Sequence, residues 1–138
     1  MSVYRGISMI ERNLQVVHQH IMNEARDPAS ILDLYTDDIV QEFPTRGLVI
    51  RGKQDIAESY RRTFGSMADV SLEPLQRFAT PDRVVDDMIA RFRCTGDGLE
   101  NAPISEGDRV ELRLLHVFHM RGGLIEREVV HESYRVLS

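Results

Sequence analysis

The spacing of apolar residues changes halfway along the chain, and this change constrains the fold class more than any other feature. In the first part, apolar residues recur every three or four positions, which predicts an amphipathic helix: Ile7, Ile10, Leu14, Val17 and Ile21. From residue 69 onward, apolar and polar residues alternate, which is typical of half-buried strands. Helices followed by successive strands predict an α+β domain, with the helices packed on one face of an antiparallel sheet.

Turn signals divide the chain into further elements. Asp27-Pro28 predicts the start of a short second helix that runs through Tyr35. A short strand is predicted from Ile39 to Phe43, and a third helix follows Gly52 and ends near Gly65. Four long strands are predicted over 69–79, 83–95, 108–121 and 124–136.

Length, charge and cysteine content restrict the class of protein. A chain of 138 residues fits one domain, so residues 1–138 are interpreted as one unit. The net charge of −5, without a basic cluster, argues against a nucleic-acid partner. No segment has the ~20 apolar residues of a membrane span or the pattern of a signal peptide. Because the single Cys94 excludes an intramolecular disulfide, we expect a cytoplasmic protein.

Short motifs occur in order along almost the whole chain: Leu34-Tyr35-x-Asp37-Asp38, Arg51-Gly52-Lys53-x-x-Ile56, Arg83-Val84-Val85-Asp86-Asp87, Gly107-Asp108-Arg109-Val110 and Gly122-Gly123-Leu124-Ile125. With these motifs the sequence resembles the SnoaL-like branch of the NTF2-like superfamily, which includes polyketide cyclases, ketosteroid isomerases and limonene epoxide hydrolases. The resemblance implies a cone of three N-terminal helices packed on a curved, mostly antiparallel sheet. It does not specify a reaction, because this fold hosts unrelated enzymes and non-catalytic binders.

Strand parity predicts which side chains face the concave side of this sheet. If Gly122-Gly123 forms a two-residue hairpin turn, the pairing of the last two strands places His116 opposite Val129. The even positions of the strand over 83–95 also face inward. Three ionisable residues then interrupt an otherwise apolar face: Asp86, His116 and His131.

We expect these three residues to carry out acid–base catalysis. Burial disfavours a charged carboxylate, so it should raise the pKa of Asp86 and suit this residue as a proton acceptor near neutral pH. His116 would be hydrogen-bonded to Asp86, directly or through water. His131 would orient the substrate or donate to a developing oxyanion. The side chains expected to line the binding volume are Tyr35, Phe43, Tyr60, Met88, Phe92, Leu114, Phe118 and Val129.

Structural interpretations of the same residues stay open. A β-bulge that shifts the register would turn Asp87 inward in place of Asp86. Each of the three ionisable residues can also be a satisfied member of the core. His116 and His131 with Asp86 would suit a two-histidine, one-carboxylate metal site, but we expect no metal and no cofactor.

The sequence predicts a cofactor-independent acid–base enzyme of isomerase, cyclase or hydrolase type, acting on a small, largely apolar organic molecule in an enclosed pocket. The alternatives are a non-catalytic ligand-binding or dimerisation module on the same fold, and a subunit that recruits another protein through the outer sheet face. The resemblance suggests a homodimer formed through that face. The residues expected on the contact surface are Arg113, Leu115, Val117, Val130 and Tyr134.

Overall fold

Three helices accompany the sheet, as predicted, although the second is shorter and tighter than an α-helix. The computed structural model describes the backbone of residues 2–138 and the side chains of residues 9–138. Helix α1 spans Ser2–Asn23, a 3₁₀ helix spans Pro28–Leu34, and helix α2 spans Lys53–Gly65. Proline opens the 3₁₀ helix because its missing N–H and restricted φ suit the first helical position. Tyr35, which was predicted to end this helix, begins the first strand instead.

Six strands form one mostly antiparallel sheet, in the order β2-β1-β6-β5-β4-β3. Only the β1–β6 pair is parallel within the described residues. The strands are β1 Tyr35–Phe43, β2 Leu48–Arg51, β3 Met67–Ala79, β4 Arg83–Cys94, β5 Arg109–Arg121 and β6 Leu124–Val136. The α+β cone is thereby confirmed. The four-residue β2 was not predicted, because it is too short to show a period.

The helices bury their apolar faces against the concave side of the sheet. Val17 of α1 and Ile56 of α2 are fully buried, and both belong to one core cluster with Phe118 of β5 and Ile125 of β6. A second cluster around Phe92 and Leu112 fills the far end of the sheet. No helix in residues 2–138 combines the length and apolar composition needed to cross a bilayer.

A single-residue bulge in β6 changes the face to which its side chains point. The Gly122-Gly123 turn pairs Arg121 with Leu124, as predicted, and both glycines adopt the positive φ that such turns need. Glu126 is then an extra residue, because Met120 pairs with Ile125 whereas His119 pairs with Arg127. His116 therefore lies opposite Val130, not Val129.

Several predicted side-chain placements on β6 are consequently wrong. His131 is exposed on the outer face, and Val129 shares that face. Val130, expected on the outer contact surface, is instead only 2% exposed inside the cone. Tyr134, expected beside it, packs against the far-end core cluster. Each error follows from the bulge, because a shift of one residue moves a strand's side chains to the opposite face.

The register predicts a large effect and a small effect for the same substitution at two adjacent positions. Val130→Asp should lower the free energy of unfolding by about 2 kcal/mol or more, because it buries an unpaired carboxylate. His131→Asp should change it by about 0.5 kcal/mol at most, because this side chain lies in water. Urea unfolding followed by circular dichroism measures both. A larger loss for His131→Asp would contradict the bulged register.

Candidate functional site

A cavity of about 100 Å³ lies between the helices and the concave face of the sheet. Most of its lining side chains are apolar, and its rim includes the exposed residues Ala25, Val70 and Leu72. The cavity therefore reaches the surface between the end of α1 and the start of β3. The predicted contact residues that line it are Phe43, Tyr60, Met88 and Leu114, together with His116.

The other predicted contact residues lie elsewhere. Tyr35 and Phe118 are packed in the core cluster beneath the helices, and Phe92 belongs to the far-end cluster. Val129 points to the outer face. Alternation along a strand predicts its buried face, but it does not predict which part of that face borders empty space.

Glu128 of β6 places a buried carboxylate at the cavity wall. This residue is 1% exposed, and its Oε1 accepts hydrogen bonds from Gln41 Nε2 at 2.7 Å and from the Tyr60 hydroxyl at 3.1 Å. Gln41 Nε2 also donates to the Tyr60 oxygen at 2.7 Å. No described side chain or backbone group donates to Oε2. Glu128 thus has one oxygen held by the protein and one available to a ligand.

His116 of β5 brings a positive charge to the same cavity. Its Nδ1 lies 3.4 Å from Asp86 Oδ2, and its ring stacks on Phe118 with the ring centres 5.7 Å apart. Burial alone lowers the pKa of His116, but the close contact with the Asp86 carboxylate and the charge of Glu128 outweigh it and raise this pKa to about 9. The ring is therefore an imidazolium at neutral pH. Because Asp86 engages Nδ1, Nε2 is the nitrogen left for a ligand.

Asp86 lies on the inner face of β4, as strand parity predicted, but its pKa is not raised. Arg77 Nε donates to Asp86 Oδ1 at 2.7 Å. Burial raises the pKa of Asp86, yet the close ion pair with His116 and the hydrogen bond from Arg77 outweigh it, so the pKa falls below its ordinary value. The expected raised pKa was wrong because parity alone did not identify these two cationic partners. Asp86 stays ionised and keeps His116 charged.

A second buried histidine lies behind Glu128. His20 Nε2 of α1 is 2.7 Å from the Tyr35 hydroxyl and 3.4 Å from the Tyr60 hydroxyl, while Nδ1 is 3.1 Å from Glu24 Oε2. Burial lowers the pKa of His20, but Glu128 and Glu24 together raise it above its ordinary value. Burial and the charge of Glu128 hold the pKa values of both tyrosines well above normal, so both hydroxyls stay protonated.

Glu132, two residues after Val130 on the same face of β6, is a second carboxylate at the cavity wall. Its Oε1 accepts from Arg46 Nε at 3.0 Å, and its Oε2 accepts from the Tyr134 hydroxyl at 2.8 Å. Arg46 also lies over the Phe43 ring, 4.3 Å from its centre. Both oxygens of Glu132 are therefore occupied, which distinguishes it from Glu128.

Sequence reasoning missed several polar residues of this site, among them His20, Gln41, Glu128 and Glu132. His20 is three positions after Val17 and Gln41 is two positions after Ile39, so the helical and strand periods both contain the signal for inward placement. Glu128 carries no such signal, because the bulge reverses its parity. His131 faces outward, so the two-histidine, one-carboxylate metal site is not formed, and no group of three metal-ligating side chains occurs among residues 9–138.

These observations define a class of protein: a cone-shaped α+β domain with buried acidic and basic side chains at the wall of its internal cavity. The family model of the SnoaL-like domain matches residues 18–128. The chain therefore belongs to the SnoaL-like family, as its motifs suggested. No curated protein matches the sequence significantly.

Solved structures share the fold at low sequence identity. A phenazine biosynthesis-related protein from Pseudomonas aeruginosa has a TM-score of 0.76 at 19% identity, covering 92% of this chain and 78% of that chain. An LEH-like epoxide hydrolase from M. tuberculosis has a TM-score of 0.68 at 18% identity, covering 90% of this chain and 84% of that chain. A hypothetical protein from Catenulispora acidiphila has a TM-score of 0.67 at 16% identity, covering 83% of this chain and 82% of that chain. That protein has a ketosteroid isomerase-like fold and was solved in complex with trimethylamine.

Replacing Asp86 should lower the pKa of His116. In Asp86→Asn we expect this pKa to fall from about 9, because burial is then opposed mainly by Glu128. Titration of the imidazole signals by NMR measures the change. Asp87→Asn is the matched control, because Asp87 pairs with Arg113 on the outer face. An unchanged His116 pKa in Asp86→Asn would show that another group holds the proton.

The same pair makes stability depend on pH. The folded-state pKa of His116, about 9, lies above the unfolded value of about 6.5, so its contribution is complete below pH ~6.5 and is lost as the pH rises through 9. Asp86 has a lowered pKa, so its contribution disappears only in acid. The stability difference between wild type and Asp86→Asn should therefore be largest between about pH 4 and 6.5.

Proposed function

We propose that this chain is an enzyme that carries out cofactor-independent acid–base chemistry on a small organic molecule held in the cavity. One observation carries the proposal: a carboxylate with a free oxygen, Glu128, and a charged imidazole, His116, line the same mostly apolar space. A proton acceptor and a cationic hydrogen-bond donor are the two groups that such chemistry requires.

Glu128 takes the role of proton acceptor in this proposal. Gln41 and Tyr60 hold its Oε1, which orients Oε2 toward the proton to be removed. Removal of a proton leaves negative charge on the substrate, and the imidazolium of His116 stabilises that charge through Nε2–H. Asp86 is a positioning residue, because it acts on the substrate only through His116.

The size of the cavity limits the reacting part of the substrate. A cavity of about 150 Å³ in another protein is known to hold benzene, which has six non-hydrogen atoms. By that comparison the 100 Å³ here accommodates a compact group of about four non-hydrogen atoms. The mostly apolar walls favour a group of low polarity. Trimethylamine in the Catenulispora acidiphila protein and epoxide hydrolysis by the M. tuberculosis protein support small organic ligands and acid–base chemistry on this fold.

The alternative is a binding module without catalysis. It is favoured by Arg77, which caps Asp86, and by the saturation of Glu132 by Arg46 and Tyr134. The free Glu128 oxygen favours the enzyme over this alternative. We also propose a homodimer through the outer sheet face, where half-buried Leu115 and Val117 lie among charged residues, and a cytoplasmic location.

Two probe reactions test whether Glu128 accepts protons from bound molecules. Acetone in D₂O reports removal of an α-proton through loss of its NMR signal, and propylene oxide reports addition of water. We expect the wild type to accelerate at least one reaction, and Glu128→Gln to slow it by about 10²-fold or more, because the base is lost. Asp87→Asn, on the outer face, should retain the wild-type rate. Equal rates for wild type and Glu128→Gln in both reactions would support the binding module.

The rate of the probe reaction should fall at high pH. His116 loses its proton near pH 9, and a neutral imidazole stabilises a developing anion less well. The plot of kcat/KM against pH should therefore decline above about pH 9, and Asp86→Asn should move the decline to lower pH. A high-pH limb at the same position in both proteins would exclude His116 as the donor.

A further inference from the structure

A surface groove of about 410 Å³ lies beside the cavity mouth, between α1 and β3. Its walls carry Met22 of α1, Leu72 and Leu75 of β3, and Met88 of β4. At its polar end, Arg77 lies near His18 and Asp86. We call this surface the α1–β3 groove.

The groove continues directly from the cavity. Ile21, Leu72 and Met88 line both spaces, so the groove and the cavity adjoin at these three apolar side chains. Residues 70 and 72 of β3 lie at the rim of the cavity, and residues 72 and 74–77 of the same strand line the groove. Residues 18, 21 and 22 of α1 line the groove, and residues 24 and 25, just after this helix, lie at the rim of the cavity. A ligand too long for the cavity would leave through the mouth into this groove.

The groove exposes large apolar side chains to water. Met22 is 62% exposed, Leu72 52% and Leu75 41%. Neighbouring apolar side chains of this kind on one surface are typical of a site that another molecule covers. Covering them with hydrocarbon removes apolar area from water, which is the main favourable term in binding an apolar chain.

The charged end of the groove is already neutralised. Arg77 Nε donates to Asp86 Oδ1 at 2.7 Å, and Arg77 Nη1 lies 3.3 Å from His18 Nδ1. Because these charges are already paired, an ionic group of a ligand would gain little binding free energy at this end of the groove. The groove therefore favours an uncharged apolar chain.

We propose that the α1–β3 groove is the binding site for the tail of the substrate. The substrate is then an elongated molecule whose compact reacting head enters the cavity and whose uncharged apolar chain lies between Met22, Leu72 and Leu75. This inference rests on the proposed function for the position of the head, beside Glu128 and His116. With such a tail site, a substrate larger than the cavity of about 100 Å³ can still place its reacting head inside it.

A homologous series of methyl ketones, from 2-butanone to 2-decanone, tests this inference. Binding is measured by titration of protein amide signals in NMR. Beyond about six carbons, each added methylene should lower Kd about two- to fourfold in the wild type, because it leaves water for the groove. A Kd that stops falling beyond 2-hexanone, or no measurable binding by any ketone, would overturn the proposal.

Met22→Glu identifies the groove as the site of the added affinity. Met22 lines the groove, is not among the cavity-lining residues and is exposed, so a charge there leaves the fold intact. We expect the variant to bind 2-butanone as the wild type does, and to lose most of the gain in affinity with chain length. Val49→Glu is the matched control, since Val49 is 55% exposed on β2 and should behave as the wild type. If Met22→Glu keeps the full gain, the tail does not lie in the groove.

The two proposals fail in different ways. If affinity rises with chain length but Glu128→Gln leaves the probe reactions unchanged, the tail site stands and the catalytic proposal falls. If catalysis of the short probes depends on Glu128 but Kd does not change with chain length, the catalytic proposal stands and the tail site falls.

Discussion

One extra residue in β6 determines which side chains enter the interior of the cone. Because Glu126 has no partner in the β5–β6 ladder, Glu128, Val130 and Glu132 face inward and His131 faces outward. Without the bulge, Arg127, Val129 and His131 would take the inward positions of Glu128, Val130 and Glu132. The bulge therefore sets the charge of the site, because one extra residue reverses the face to which all later side chains of the strand point.

The inward carboxylates are tolerated because the rest of the fold supplies their partners. An isolated buried charge costs several kcal/mol, roughly as much as the whole stability of a small domain. Glu128 is balanced by hydrogen bonds from β1 and α2 and by the charge of His116, and Glu132 is balanced by Arg46. The cavity thus combines an oxygen without a donor, an imidazolium and apolar walls. These are the features that the proposed proton transfer requires, and the adjoining groove is where the tail of the proposed substrate would lie.

Much of the fold, and one half of the site, was predictable from local pattern. Helical and strand periods predicted the long elements, and unbroken antiparallel pairing of β4 with β5 kept Asp86 opposite His116 on the inner face. Parity did not reveal Arg77 beside Asp86, so the direction of its pKa shift was wrong. His131 and Val129 were misplaced and Glu128 was missed, since no residue type marks a bulge in the way that glycine marks a turn.

The sequence by itself determined the order of the long elements and the α+β class, because periodicity and turn residues act over a few neighbouring positions. Its motifs indicated the cone and the SnoaL-like family by resemblance. Tertiary structure alone decided the composition of the site. Gln41, Tyr60 and Glu128 are separated by up to 87 positions and meet only when β1 pairs with β6 and α2 closes over the sheet. The physical reason is that hydrogen bonds and charges act through space, so the pKa of His116 depends on partners that no local pattern identifies.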